Sequence, residues 1–76
     1  MTLSEFHSEI DKILELPDGT ITGSESLSSL SAWDSLAVLS FIAMVDEKFK
    51  MQLAARDISQ CNTVGELAAL LGPKIS

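Results

Sequence analysis

Between Pro17 and Asp34 the chain reads PDGTITGSESLSSLSAWD, eighteen residues of which seven are Ser or Thr, two Gly and one Pro. Hydroxyl side chains compete with the helical backbone for its hydrogen bonds, so this stretch opposes a continuous helix. A loop of that length is unusual in a chain of only 76 residues and is often functional. It is also not uniformly polar. Ile21, Leu27, Leu30 and Trp33 can drop onto a core supplied from either side, and a short helical turn fits near Leu27 to Leu30. The fold must therefore make this connection part of its packing.

On both sides of the connection the apolar residues repeat at helical spacing. Leu3, Phe6, Ile10, Ile13 and Leu14 predict a first helix from about Leu3 to Leu16. Thr2 and Glu5 stand at capping-box spacing at its start, and Pro17 and Gly19 follow its end. A second helix is expected from Ser35 to about Phe49, capped by Asp34. Its inner stripe reads as Leu36, Leu39, Ile42, Val45 and Phe49, widened by Val38 and Phe41. Lys48 and Lys50 suit the negative pole at its end. A short third helix is expected over about Ala55 to Gln60. A fourth carries Val64, Leu67, Ala68 and Leu71 behind Thr63 and Glu66, with Gly72-Pro73 ending it. No stretch alternates as a strand does. The expected fold class is all-α: a four-helix bundle, three main helices plus one short one, with a long first loop, forming a single domain over residues 1–76. A start at Met1 and an end soon after the last helix favour a discrete protein.

Charge and composition exclude several roles. Eleven acids against five bases give a formal net charge of −6, which opposes nucleic-acid binding, since that affinity comes from cations on phosphates. Cys61 is the only cysteine, so neither an internal disulfide nor a thiolate metal cluster is expected. The N-terminus lacks a secretory signal, and no apolar run approaches the roughly 18 residues of a membrane span. The expected setting is cytoplasmic and the expected state a monomer. His7, the one histidine, reads as a solvated residue on the polar side of the first helix. Without a second histidine or a nucleophile elbow, a serine hydrolase finds no support. Asp18-Gly19 does not begin a calcium loop, and the carboxylates read as a solvated surface. No catalytic residue and no metal site is expected.

Ser35 is the residue with chemical potential. It falls at the first turn of the second helix, directly after the loop and the Asp34 cap. Backbone N–H groups there lack intrahelical partners, and the helix dipole favours negative charge. A phosphate ester on Ser35 would sit in a favourable field. Helix-start serines are also common and need carry nothing, so the residues alone leave both readings open.

The stretch WDSLAVLSFIAMVDEKF, residues 33–49, resembles the signature of acyl carrier proteins and related phosphopantetheine-binding carrier domains. The likeness extends over nearly the whole chain: helix, long loop, Asp-Ser-Leu, a helix ending in an acidic-aromatic segment, a short helix, then TVGELAALL. What the resemblance implies is carriage rather than catalysis. Ser35 would carry 4′-phosphopantetheine, installed from coenzyme A by a phosphopantetheinyl transferase. Acyl or aminoacyl groups would ride on the arm as thioesters between loading and transferring enzymes. Asp34 matches the preceding acid, which serves transferase recognition beside its capping role, and Leu36 matches the following leucine.

The chain departs from the fatty-acid type of that family. There the outer face of the second helix is rich in acids; here it is expected to present Ala37, Ser40 and Ala43, with acids only at Asp46 and Glu47. Partner recognition by Asp34, Leu36, Ala37, Ser40, Asp46 and Glu47 is then expected to be more apolar and less salt-sensitive. That pattern fits a specialised lipid or secondary-metabolite pathway, or an aminoacyl carrier, better than general fatty-acid synthesis. Trp33 is expected to pack the loop onto the helices, Cys61 to be a small buried hydrophobe, and Met44 and Met51 to fill the core. The rival from another class is an unmodified helical protein–protein interaction domain.

Overall fold

Thr2 opens the first helix, α1 (Leu3–Leu14). The Glu5 N–H donates to Thr2 Oγ1 at 3.1 Å and the Thr2 N–H donates to Glu5 Oε1 at 2.8 Å, closing a capping box. The computed structural model describes residues 1–75, and in it α1 stops two residues before the predicted Leu16. Glu15 takes the left-handed conformation, φ 59°. The Leu16 N–H reaches the Asp11 carbonyl at 2.8 Å, and the Glu15 N–H the Lys12 carbonyl at 3.2 Å. That is the Schellman pattern, so the backbone turns off the helix before Pro17 can.

Three further helices follow among the described residues: α2 (Ser35–Phe49), α3 (Ala55–Ser59) and α4 (Val64–Leu71). Two single 3₁₀ turns lie at Leu27–Ser29, as the loop sequence predicts, and at Gly72–Lys74. Asp34 caps α2: its Oδ1 accepts the Ala37 N–H at 2.9 Å. Thr63 caps α4 by accepting the Glu66 N–H at 3.2 Å, while Glu66 Oε2 takes the N–H of Asn62 rather than that of the cap residue. The architecture is the expected all-α bundle, three main helices and one short one.

The core joins Phe6, Ile10 and Leu14 of α1 to Phe41, Met44 and Val45 of α2, with Ile58 of α3 and Val64, Leu67, Ala68 and Leu71 of α4. Phe6 and Phe41 meet edge to face, centroids 6.0 Å apart, a geometry that adds to area burial. Here the expected inner stripe of α2 is corrected. Val45 is fully buried and Ile42 and Phe49 are half-buried, but Leu36 and Leu39 are exposed. The buried face runs through Ala37, Phe41, Met44 and Val45 instead. From Leu36 to Val45 the helix is apolar at every position but Ser40, so periodicity alone cannot choose its inner side. The contacts of Phe41 with Phe6 and with Trp33, 6.1 Å away, fix the rotation.

The long connection is packed down as predicted: Ile21 and Leu27 are buried, and Leu30 and Trp33 lie half-buried against the core. Polar tethers that the composition does not announce hold it there. Asp11, 1% exposed, accepts the Gly19 N–H at 2.9 Å on Oδ2 and the Ile21 N–H at 3.0 Å on Oδ1. The carboxylates are therefore not all solvated. Beyond Asp11 the loop is sewn to the start of α4. Gly65 N–H donates to the Gly23 carbonyl at 2.8 Å, Val64 N–H to that of Glu25 at 3.1 Å, and Leu27 N–H to that of Asn62 at 2.8 Å. His7 is also corrected. Its Nε2 is buried without a hydrogen-bond partner, and a Cβ placed at Gly23 would lie 3.0 Å from it. His7 is thus a packing residue under the loop. With φ of 108° at Gly23, any side chain there meets both backbone strain and the imidazole.

Glu25 folds back on its own loop, accepting from the Thr22 N–H at 2.8 Å, the Thr22 hydroxyl at 3.0 Å and the Gly23 N–H at 2.8 Å. Desolvation pushes its carboxyl up. The backbone donors of Thr22, Glu25 and Gly23, with the Thr22 hydroxyl, outweigh that and hold the pKa at about 2. A lowered folded-state pKa stabilises above the unfolded value and loses that stabilisation as pH falls through the folded one. Wild type is therefore expected to lose part of its urea-midpoint stability between pH 4.5 and about 2 that Glu25→Gln, measured in parallel, does not have to lose. Identical acid limbs for the two chains would contradict this role.

Candidate functional site

Ser35 is exposed and is the first residue of α2. Helix geometry leaves the N–H groups of the first turn outside the intrahelical ladder. Asp34 satisfies that of Ala37, and Val38 makes the first helical bond, 3.0 Å to the Asp34 carbonyl. The first turn itself contains no acid, and the carboxylate of Asp34 at the positive end of the α2 dipole is engaged in capping. An exposed hydroxyl in this position can accept a phosphodiester without displacing a packing contact.

The face of α2 toward α3 holds the second component. A cleft of about 430 Å³ is lined by Trp33, Val38, Leu39, Ala55 and Ile58, with Ser35 also contributing to its wall. The T-shaped contact of Trp33 with Phe41 holds the indole in the role predicted for it, closing the loop against the helix while one side borders this cleft. Sequence reasoning missed the cleft, because α3 is five residues long and its approach to α2 is not written in any periodicity. Among the described residues Ser35 thus has an apolar wall beside it.

The outward surface of α2 differs from the expected one. Ala37 is 5% exposed, so it does not belong to that surface. Its small side chain is turned inward, in the core cluster with Phe41. Leu36, 70% exposed, and Leu39, 62% exposed, take the outward places, with Ser40, Ala43, Asp46 and Glu47 also exposed. Leu36, Leu39 and Ala43 recur at intervals of three and four, which was the available signal for a shared face. The same spacing also fits a core stripe, and leucines are ordinarily inside.

Other reactive side chains are occupied elsewhere. Cys61 is half-buried, and its thiol donates to the Asp57 carbonyl at 3.6 Å. Desolvation, followed by the charges of Glu66 and Asp57, pushes its pKa up, which suppresses the nucleophilic thiolate. Among the described residues no group of three or more His, Cys, Asp or Glu side chains could hold a metal ion. None of the described helices is long and apolar enough to cross a membrane. A family model described as a phosphopantetheine attachment site matches residues 4–71, all but the first three and last five positions. Nothing among curated proteins or solved structures matches the chain.

Proposed function

The chain belongs to the phosphopantetheine attachment family, and from that premise we propose that residues 1–76 form one carrier domain whose anchor is Ser35. Domains of the family are non-catalytic carriers of thioester intermediates and meet both biosynthetic enzymes and modifying transferases. When bound, 4′-phosphopantetheine supplies a flexible arm whose terminal thiol holds the acyl group. The observation that carries the assignment of Ser35 is its exposed hydroxyl at the start of α2, with its cap formed and the apolar cleft beside it.

The residues around it divide the work. Asp34 holds the first turn of α2 in place and presents a charge in the position directly before Ser35. Trp33, Val38 and Ile58 give an apolar wall against which an uncharged acyl group can lie out of water. Leu36, Leu39 and Ser40 form the docking surface, with Asp46 and Glu47 at its far end. Buried apolar contact then leads docking and charge assists it. This supports a carrier dedicated to a specialised lipid or secondary-metabolite pathway, or to an aminoacyl group, over one for general fatty-acid synthesis.

Incubating the wild-type protein with coenzyme A and a phosphopantetheinyl transferase tests the proposal. Intact mass is expected to rise by one phosphopantetheine, and fragmentation of the product is expected to place it on Ser35. A protein that keeps its starting mass, or an arm on another serine, overturns the assignment. The character of the docking surface has its own measurement. Affinity for a cognate enzyme is expected to fall at least tenfold in Leu36→Asp, and to fall by less when salt is raised to about 0.5 M, where only charge contacts are screened.

A further inference from the structure

Cations are scarce in this chain, and the fold gathers most of them at one pole. Of the five Lys and Arg residues, Lys48, Lys50 and Lys74 line a single wide depression of about 660 Å³, together with Glu47, Phe49 and Met1. All three lysines are exposed. Lys12, away from this pole, pairs with Glu9 at 3.4 Å. Lys48 and Lys50 have a structural reason to stand here, since they complement the carbonyl end of α2. Lys74 has none. It comes from the 3₁₀ turn Gly72–Lys74 and is brought across by the end of the chain, where the Met1 nitrogen meets its carbonyl at 3.4 Å. Among the described residues, Glu47 and Glu5 are carboxylates at its margin. Glu5 is engaged first by the backbone and hydroxyl of Thr2, then by the N-terminal ammonium, and Lys48 attracts it more weakly still. Counted over the described residues, the lining of the pole carries more lysines than carboxylates in a chain whose net charge is −6.

We propose that this pole docks an acidic segment of a partner protein, whose carboxylates meet Lys48, Lys50 and Lys74 and whose apolar side chain covers the half-buried ring of Phe49. The chemistry of the depression favours that occupant. A small phosphate is bound best by converging backbone N–H groups, and the end of α2 offers carbonyls instead. Anionic lipid recognition draws on about four to eight clustered basic residues, more than are present. A nucleic acid would meet the repulsion of the whole acidic molecule. Flexible lysines around an aromatic ring suit a reversible contact between complementary protein surfaces. The pole lies at the opposite end of α2 from Ser35, across the fifteen-residue length of the helix, or about 20 Å at the usual rise. A partner that holds the chain here leaves the Ser35 end free to face a second protein.

The experiment is a titration of the isotope-labelled protein with a synthetic peptide of alternating Glu and Asp around one Phe, followed by amide chemical shifts. Shifts are expected to concentrate at residues 47–50 and 74. Affinity is expected to fall roughly tenfold in the triple variant Lys48→Gln, Lys50→Gln, Lys74→Gln, the combined effect of three modest charge contacts. A comparable loss is expected for wild type when salt rises from about 0.05 to about 0.5 M, which makes the result independent of how the variant folds. Phosphatidylserine vesicles and inorganic phosphate serve as competing probes. Absent shifts, shifts at other residues, an unweakened triple variant, or equal perturbation of the same amides by vesicles or phosphate would each overturn the proposal. Loading of Ser35 in the triple variant is expected to match wild type, which separates this pole from the carrier site.

Discussion

A Ser35→Ala chain held with coenzyme A and a promiscuous phosphopantetheinyl transferase is expected to keep its unmodified mass while wild type converts fully. The effect is all or none because a phosphodiester needs an oxygen, and the substitution removes the oxygen with little structural consequence. Alanine is a good helix former, Ser35 is exposed, and its side chain makes none of the hydrogen bonds that order the helix start. Melting temperature is therefore expected to stay within about 2 °C of wild type, as for surface substitutions that touch no special feature. That pairing of unchanged stability with lost modification is the discriminating result. A Ser4→Ala chain, which removes an exposed hydroxyl from α1, outside the docking surface, is expected to be modified as wild type is. Modification surviving in Ser35→Ala would move the anchor elsewhere and remove the basis of the carrier reading.

Asp34 extends the same experiment. Asn is as good an N-cap as Asp, whereas Ala loses the cap at a cost of about 1 kcal/mol. Asp34→Asn is therefore expected to keep the stability of wild type, and Asp34→Ala to lose it. If the carboxylate also addresses the transferase, both variants are modified more slowly. Rates that track stability instead, with Asn equal to wild type, would confine Asp34 to capping.

How much of this could be read in advance depended on whether one residue pattern admitted one structure. In α4 the expected positions Val64, Leu67, Ala68 and Leu71 are all buried, because Gly65, Glu66 and Ala69 are polar or small and exposed, and the rotation that hides those four leaves Leu70 as the one large side chain half-buried. In α2 the apolar residues surround the helix, so the same method put Leu36 and Leu39 inside and Ala37 outside, the reverse of the packing. The start of α2 was legible because capping is local: Asp34 and the Ala37 N–H are three residues apart. Contacts between distant segments were not. The cleft beside Ser35 needs α3 to lie against α2, and the basic pole needs Lys74 to approach Lys48 and Lys50. His7 read as solvated because helical spacing reports which face a residue occupies, not that Gly23 will close over it.

Asp11 gives that lesson its sharpest test. Its position in the sequence, beside Ile10 on an amphipathic helix, marks it as a surface acid, yet its side chain is buried with both oxygens committed to loop N–H groups, those of Gly19 and Ile21. Leaving a buried donor without an acceptor costs about 1–3 kcal/mol; Asp11→Ala strands the buried N–H of Ile21 and also removes the part-buried bond from Gly19. A loss of about 3 kcal/mol is expected, a large share of the roughly 5–15 kcal/mol that stabilises a small domain, read as a lowered urea midpoint. Asp11→Asn, nearly isosteric, is expected to recover less than half of it. An amide has one carbonyl oxygen, so only one loop N–H keeps its acceptor, and the other faces an NH₂ donor. Simple volume loss predicts the opposite, a near-complete rescue by Asn, and that result would refute the tether. The loss should also be local before it is global. Hydrogen exchange of Gly19 and Ile21 is expected to rise well above that of the α1 core around Phe6 and Ile10. The neighbouring attachments of Gly23, Glu25 and Leu27 to α4 are then left to hold the connection that leads to Ser35.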